Sequence, residues 1–153
     1  MTEEMDYGVF EVDQHITAHS RYYAGWMGSH FYIRLRDEKK IHGVRCESCA
    51  KVFWPPRSTC GRCFSQLTAD DLVEIGPEGT VETFTRVDYE EPVHPRRAPL
   101  IYAVITLDGA DTGMAHFLGE VDFDRIEIGM RVRPVFAEER KGHILDIAYF
   151  KPV

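Results

Sequence analysis

All four cysteines of this chain fall within eighteen residues, in the spacing Cys46-x2-Cys49-x10-Cys60-x2-Cys63. No other feature constrains the fold as much. Each Cys-x2-Cys pair suits a tight knuckle turn, and two knuckles can bring four thiolates tetrahedrally onto one divalent metal ion. Two disulfides are the competing use. A chain with the character of a cytosolic protein, with every cysteine in such a pair, favours the metal. An all-cysteine zinc site has four protein ligands and no open position for water, so it is structural. It also engages every thiol, which leaves none as a nucleophile for acyl transfer.

Iron is the alternative occupant, because a rubredoxin-like site has the same ligands. Its knuckles usually carry Gly after the second Cys of each pair, where this chain has Ala50 and Phe64. Zinc is the expected ion, one per chain. Val44-Arg45 and Val52–Trp54 fit a ribbon hairpin around the first knuckle, and Pro55-Pro56 makes a rigid turn toward the second.

The 153 residues allow one domain or two small modules. With 44% apolar and 28% charged residues the chain can bury a core, and no apolar run reaches the ~20 residues of a membrane span. The acidic start has no apolar core of a secretory signal, so a cytoplasmic location is expected. The net charge of −7 opposes a strongly basic nucleic-acid binder. That charge is unevenly spread. Arg34 to Cys63 holds eight basic residues against three acids, a basic island on an acidic protein. Within it Arg57 follows two prolines and precedes a knuckle. With Arg62, Arg45 and Lys51 it can meet phosphates, or it can be solvated surface charge.

Residues from about Asp13 to Leu35 suggest a helix with Asp13 as N-cap, since Tyr22, Tyr23, Trp26, Met27 and His30 recur at spacings of three and four. Gly25 and Gly28 weaken the pattern and predict a break. The aromatic stripe reads first as packing surface. Its excess of aromatic residues, counting Phe31 and Tyr32, also suits an interface. Beyond Gly79 the texture is that of strands: Thr80–Val87, Leu100–Leu107, Met114–Leu118, Arg131–Phe136 and Ile144–Lys151. Five short strands without a long intervening helix predict a small barrel. The expected architecture is mainly β with an N-terminal helical segment over 1–40. A zinc ribbon over 41–68 and a five-stranded barrel over 77–153, closed or partly open, follow it.

Several isolated residues read as bland. His15 and His19 share a helical spacing but have no third ligand. His116 lies in a strand and suits the core. Asp122 and Asp124, beside Glu120 and Glu127, suit solvated loop charge.

The order helix, ribbon with Pro55-Pro56-Arg57-x2-Cys60-x2-Cys63, then barrel resembles the zinc-ribbon OB-fold family that accompanies thiolase-like enzymes. Arg45-Cys46-x2-Cys49, Gly79-Thr80-Val81, Pro99–Leu107 with Asp108-Gly109, and Ile128-Gly129-x-Arg131-Val132 carry the resemblance further along the chain. Small subunits of benzoylsuccinyl-CoA-type thiolases are similar. The resemblance makes the five-stranded barrel over 77–153 an OB fold, and it implies a non-catalytic subunit in a hetero-oligomer with a thiolase-family catalytic chain. It would assist binding of CoA or acyl-CoA and assembly of the complex. The residues to meet CoA would be Arg57, Arg62 and Lys51 for phosphates and Trp54 for the adenine. Arg96, Arg97, Arg140 and Lys141 come next, from loops that border the ligand face of an OB barrel. A single-stranded nucleic-acid module and a rubredoxin-like electron carrier are the alternatives.

Overall fold

The computed structural model describes residues 20–153, together with Gly8 and Val12–Gln14. His15 and His19 lie outside the described residues. Among the described residues one α-helix, α1 (Gly25–Glu38), precedes eight strands. Asp13 is exposed and outside any helix, so the expected start is corrected. Gly25 explains it. Its φ of +71° is left-handed, which a continuing helix cannot contain. The helix therefore begins at the glycine and ends on Lys39, itself left-handed at φ 56°.

The buried stripe of α1 is Met27, Phe31 and Leu35, at spacings of four. This refines the aromatic stripe read from sequence. Tyr22, Tyr23 and Trp26 point to solvent, with Trp26 83% exposed, whereas Phe31 is buried and Tyr32 partly so.

Strands β1 (His42–Arg45), β2 (Val52–Phe53) and β3 (Leu72–Glu74) form a small antiparallel sheet in the order β2-β1-β3. The sequence reading anticipates the first two but not β3. It is three residues long, and its alternation is too brief to register. Strands β4 (Gly79–Val87), β5 (Leu100–Leu107), β6 (Gly113–Leu118), β7 (Arg131–Phe136) and β8 (Ile147–Pro152) close into a barrel in the order β4-β5-β6-β8-β7. All pairs are antiparallel except β6 with β8, which meet in parallel at Leu118 and Phe150. A register shift between Val81 and Thr83 bends β4 as closure requires. Ile144–Asp146, expected as the start of the last strand, is instead a 3-10 turn. There the buried Asp146 carboxylate accepts the backbone N–H groups of Lys141 and Gly142 and fixes the loop.

The barrel is filled by Val81, Ile105, Leu107, Val132, Ile147 and Phe150, all at or near zero exposure. Trp54 comes from the ribbon yet joins this core, edge-on to Phe150 at 6.4 Å. The β5–β6 turn seats it. Asp111 accepts the Val52 N–H at 2.8 Å and pairs with Lys51 at 2.6 Å. The Thr112 hydroxyl accepts the Trp54 N–H and donates to the Trp54 carbonyl. Arg140, from the β7–β8 loop, donates to the carbonyl of Arg36 and so ties the barrel to the end of α1. No helix among the described residues is long and apolar enough to cross a membrane.

Candidate metal centre and ligand groove

The two knuckles are built alike. The Cys46 N–H donates to Lys51 O at 2.8 Å, and the Cys60 N–H donates to Ser65 O at 2.9 Å. Each closes a turn over its Cys-x2-Cys pair. Ala50 and Phe64, the positions where Gly is missing, have φ 55° and 61°. The left-handed conformation is thus present without glycine, held at some backbone cost by the turn around it. Absence of Gly does not disqualify a rubredoxin-like geometry, which corrects the weight given to it from sequence.

The four sulfur atoms all lie within 4.8 Å of one another. Cys46 and Cys63 approach to 3.4 Å, and Cys49 and Cys60 to 3.6 Å. A regular tetrahedron with zinc–sulfur bonds of 2.3 Å has edges of about 3.8 Å, so the donor set fits one zinc ion. The N–H groups of Arg62 and Cys63 point at the Cys60 sulfur at 3.4 Å, as donors that favour thiolate. Bare thiols would not ionise alike. Ser65, through its hydroxyl and backbone, and then the neighbouring thiols hold Cys63 down at about 6. At Cys49 the Lys51 backbone N–H favours thiolate. Burial and the thiols of Cys46 and Cys60 outweigh it and push that group up to about 11. A divalent cation removes this conflict by taking all four as thiolates.

Beside the ribbon an open groove of about 930 Å³ runs between the start of α1 and the Pro55–Ser58 turn. Tyr22, Trp26, Met27 and Phe31 line one wall, and Pro55, Pro56, Arg57 and Leu67 the other. Among the described residues Arg57 is its one lining cation and Asp70 its one lining anion. The Arg57 guanidinium lies 4.8 Å over the Phe53 ring.

The six residues put forward for CoA separate. Arg57 lines the groove. Arg62 is exposed on the second knuckle and does not line it. Lys51 is engaged by Asp111, as part of the joint between ribbon and barrel. Trp54 has zero exposure, which corrects its assignment, because a core indole has no face to offer a purine. The exposed indole is that of Trp26. A sequence signal for it existed: the Met27–Phe31–Leu35 stripe leaves position 26 on the opposite side. Arg96 and Arg97 sit on the barrel at a separate pocket of about 220 Å³. There Arg96 is held between the Phe117 and Tyr149 rings and donates to Ala148 O. The basic island is also quieter than its count suggests. Arg36 pairs with Asp37 and Lys40 with Glu74, while Arg57 and Arg62 have no ion-pair partner among the described residues. Arg140 is engaged on backbone carbonyls, and Lys141 faces Glu139. His116 is buried, as expected, and Asp122 and Asp124 are exposed.

A closed four-cysteine ribbon followed by a barrel in this strand order defines a zinc-ribbon OB-fold protein. The family described as "ChsH2, rubredoxin-like zinc ribbon domain" matches residues 35–68. The one described as "ChsH2, C-terminal OB-fold domain" matches residues 72–137. The chain belongs to the DUF35 family of zinc-ribbon OB-fold proteins. It is 28% identical over 126 residues to a protein of Methanocaldococcus jannaschii named a DUF35 domain-containing scaffold protein, covering 78% of this chain and 86% of that one. A protein of the same name from Methanothermobacter thermautotrophicus is 26% identical over 116 residues, covering 73% and 86%. Among solved structures, one titled "Ltp2-ChsH2(DUF35) aldolase" matches with a TM-score of 0.59 at 25% identity, over 80% of this chain and 91% of that one. A DUF35 protein of unknown function from Sulfolobus solfataricus shares the fold, with a TM-score of 0.62 at 21% identity over 84% and 87%.

Proposed function

We propose that this chain is a non-catalytic accessory subunit of a thiolase-class enzyme assembly, and that its groove takes part of a CoA thioester. Support for the accessory role comes from relatives named as scaffold proteins and from a similar structure titled for an aldolase together with a ChsH2 chain. Thiolase chemistry needs a cysteine nucleophile, and all four cysteines here converge on one metal position. The catalytic thiol therefore belongs to the partner.

The observation that carries the ligand reading is the groove itself. It is mainly apolar and aromatic, with Ser58, Thr68 and Asp70 as polar lining and, among the described residues, one lining guanidinium at Arg57. A CoA thioester is complementary to it in parts: a long uncharged arm and a purine can lie along apolar and aromatic walls, and a phosphoryl group can meet the guanidinium. An exposed indole such as Trp26 stacks on a purine, and a guanidinium fork suits phosphate. The metal has no open position in this scheme and serves to hold the ribbon.

Titration of CoA into the metal-loaded chain, followed by Trp26 emission, tests the reading. Saturable quenching that disappears in Trp26→Phe is the expected result. No response at millimolar CoA, with or without a co-purified partner, would overturn the ligand reading. Salt-sensitive binding of an oligonucleotide in its place would turn the assignment to a nucleic-acid module.

A further inference from the structure

Gly61 is the first residue between Cys60 and Cys63, and its φ is not left-handed. The knuckle backbone at this position is therefore open to any residue. What glycine supplies is room. A Cβ built there would lie 3.2 Å from Arg57 Nη1 and 3.9 Å from Phe53 Cε1, with no other heavy atom of the described residues, beyond its own chain neighbours, within 4 Å. The guanidinium of Arg57 thus folds down onto the bare backbone of the second knuckle while stacking on Phe53. Phe53 is itself fixed, packed with Met27, Val44 and Leu67 in the ribbon core. Pro55 and Pro56 stiffen the chain that leads into Arg57. An exposed arginine ordinarily has many rotamers to lose on binding, and this seat removes much of that cost beforehand.

We infer that Gly61 and Phe53 are positioning residues, which hold Arg57 at the groove to receive a phosphoryl group of a CoA thioester. This rests on the reading of the groove given above. It adds the polarity of the ligand: the phosphoryl end lies at the Arg57 guanidinium and not at the Asp70 carboxylate, which also lines the groove and would repel it. It also makes an untouched knuckle residue a determinant of affinity.

The crowding pattern provides an unusually clean probe. Gly61→Ala presses only on the flexible end of Arg57, which must give by a few tenths of an ångström, so the fold has little to lose and the guanidinium seat is what shifts. Calorimetric titration of the full metal-loaded chain with CoA, dephospho-CoA and pantetheine reads the effect. Arg57→Ala weakens CoA roughly tenfold and leaves pantetheine unchanged. Gly61→Ala weakens CoA three- to tenfold, at unchanged metal content and melting temperature, and Phe53→Leu does so to a lesser degree. The double variant Arg57→Ala/Gly61→Ala binds no worse than Arg57→Ala alone, because both act through one guanidinium. Loss shared by dephospho-CoA assigns the contact to the pyrophosphate. Loss confined to CoA assigns it to the 3′-phosphate. If Gly61→Ala binds CoA like wild type while Arg57→Ala is impaired, or if the two losses multiply in the double variant, the seat is wrong and the groove reading stands. If wild type binds no CoA, both fall together.

Discussion

The ribbon and the barrel lie side by side and are stabilised by different physics. The ribbon sheet has strands of four, two and three residues, and two of the six buried residues in its core are metal-binding cysteines. The barrel has strands of six to nine residues, a closed hydrogen-bond circuit and a continuous apolar interior. One module lacks the apolar area to order itself and depends on four thiolates around a cation. The other has a buried apolar cluster with no cysteine in it. The joint between them is partly apolar and partly polar: Val52 and Trp54 of the ribbon and Phe31 and Leu35 of the helix share one buried cluster with the barrel, and Lys51, Val52 and Trp54 bond to Asp111 and Thr112.

Removing the metal should affect only one side of that contrast, and it carries the largest expected effect. Structural zinc supplies on the order of 10 kcal/mol of apparent folding free energy in zinc-finger peptides at pH 7. Cys60→Ser should reduce zinc from one per chain to near zero by elemental assay. Amides of Val44, Val52 and Leu72 should lose hydrogen-exchange protection, while those of Ile105, Val132 and Phe150 keep theirs. Joint loss in both regions would mean that Trp54 makes them one cooperative unit, and the contrast would fail.

The reverse experiment is a cavity in the barrel. Phe150 has zero exposure and packs against both Trp54 and His116. Phe150→Ala should cost about 3–5 kcal/mol in denaturant unfolding. Zinc content should stay at one per chain. Metal loss in this variant would show that the ribbon leans on the barrel more than the barrel leans on it.

The same contrast decides what was legible in the sequence. Cysteine spacing reports a metal site directly, because the ligands are the constraint, and the four sulfur atoms converge as expected. Barrel strands such as Leu100–Leu107 were legible because their length and turn residues leave a periodic trace. Exposure of single aromatic side chains was not. Trp54 and Trp26 each stand in an apolar or aromatic stretch, and only tertiary packing sends one into the barrel and the other to solvent. The assignment of Trp54 to ligand stacking failed for that reason. The arginines divided likewise. Chain position brings Arg57 to the groove, but the stacking that pins Arg96 uses Phe117 and Tyr149, far off in sequence. The start of the helix turned on one glycine, Gly25, whose handedness the periodicity of its neighbours obscured.

A smaller effect separates the two regions by pH. His116 is 3% exposed inside the barrel end, edge-on to Phe150, with Nε2 3.4 Å from Ile144 O. Burial, reinforced by the positive charge of Arg96, lowers its pKa, although the hydrogen bonds to Ile144 and Phe117 oppose the shift. The folded chain therefore keeps this imidazole neutral where the unfolded chain protonates it, near pH 6.5. The unfolded state then binds more protons, so stability falls as pH drops below about 6.5 and continues to fall until the folded-state pKa is passed. One such group contributes at most about 1.4 kcal/mol for each pH unit. His116→Phe removes the titration and keeps a ring in the space. Stability measured by denaturant between pH 7.5 and 5 should therefore decline less in the variant than in wild type. His42, buried in the ribbon sheet and lowered chiefly by burial, is common to both proteins and cancels in the difference. Equal slopes would show that His116 is protonated inside the barrel. The buried polar contact at Ile144 would then be an ionic one, and the barrel would share the dependence on charge that otherwise marks the ribbon.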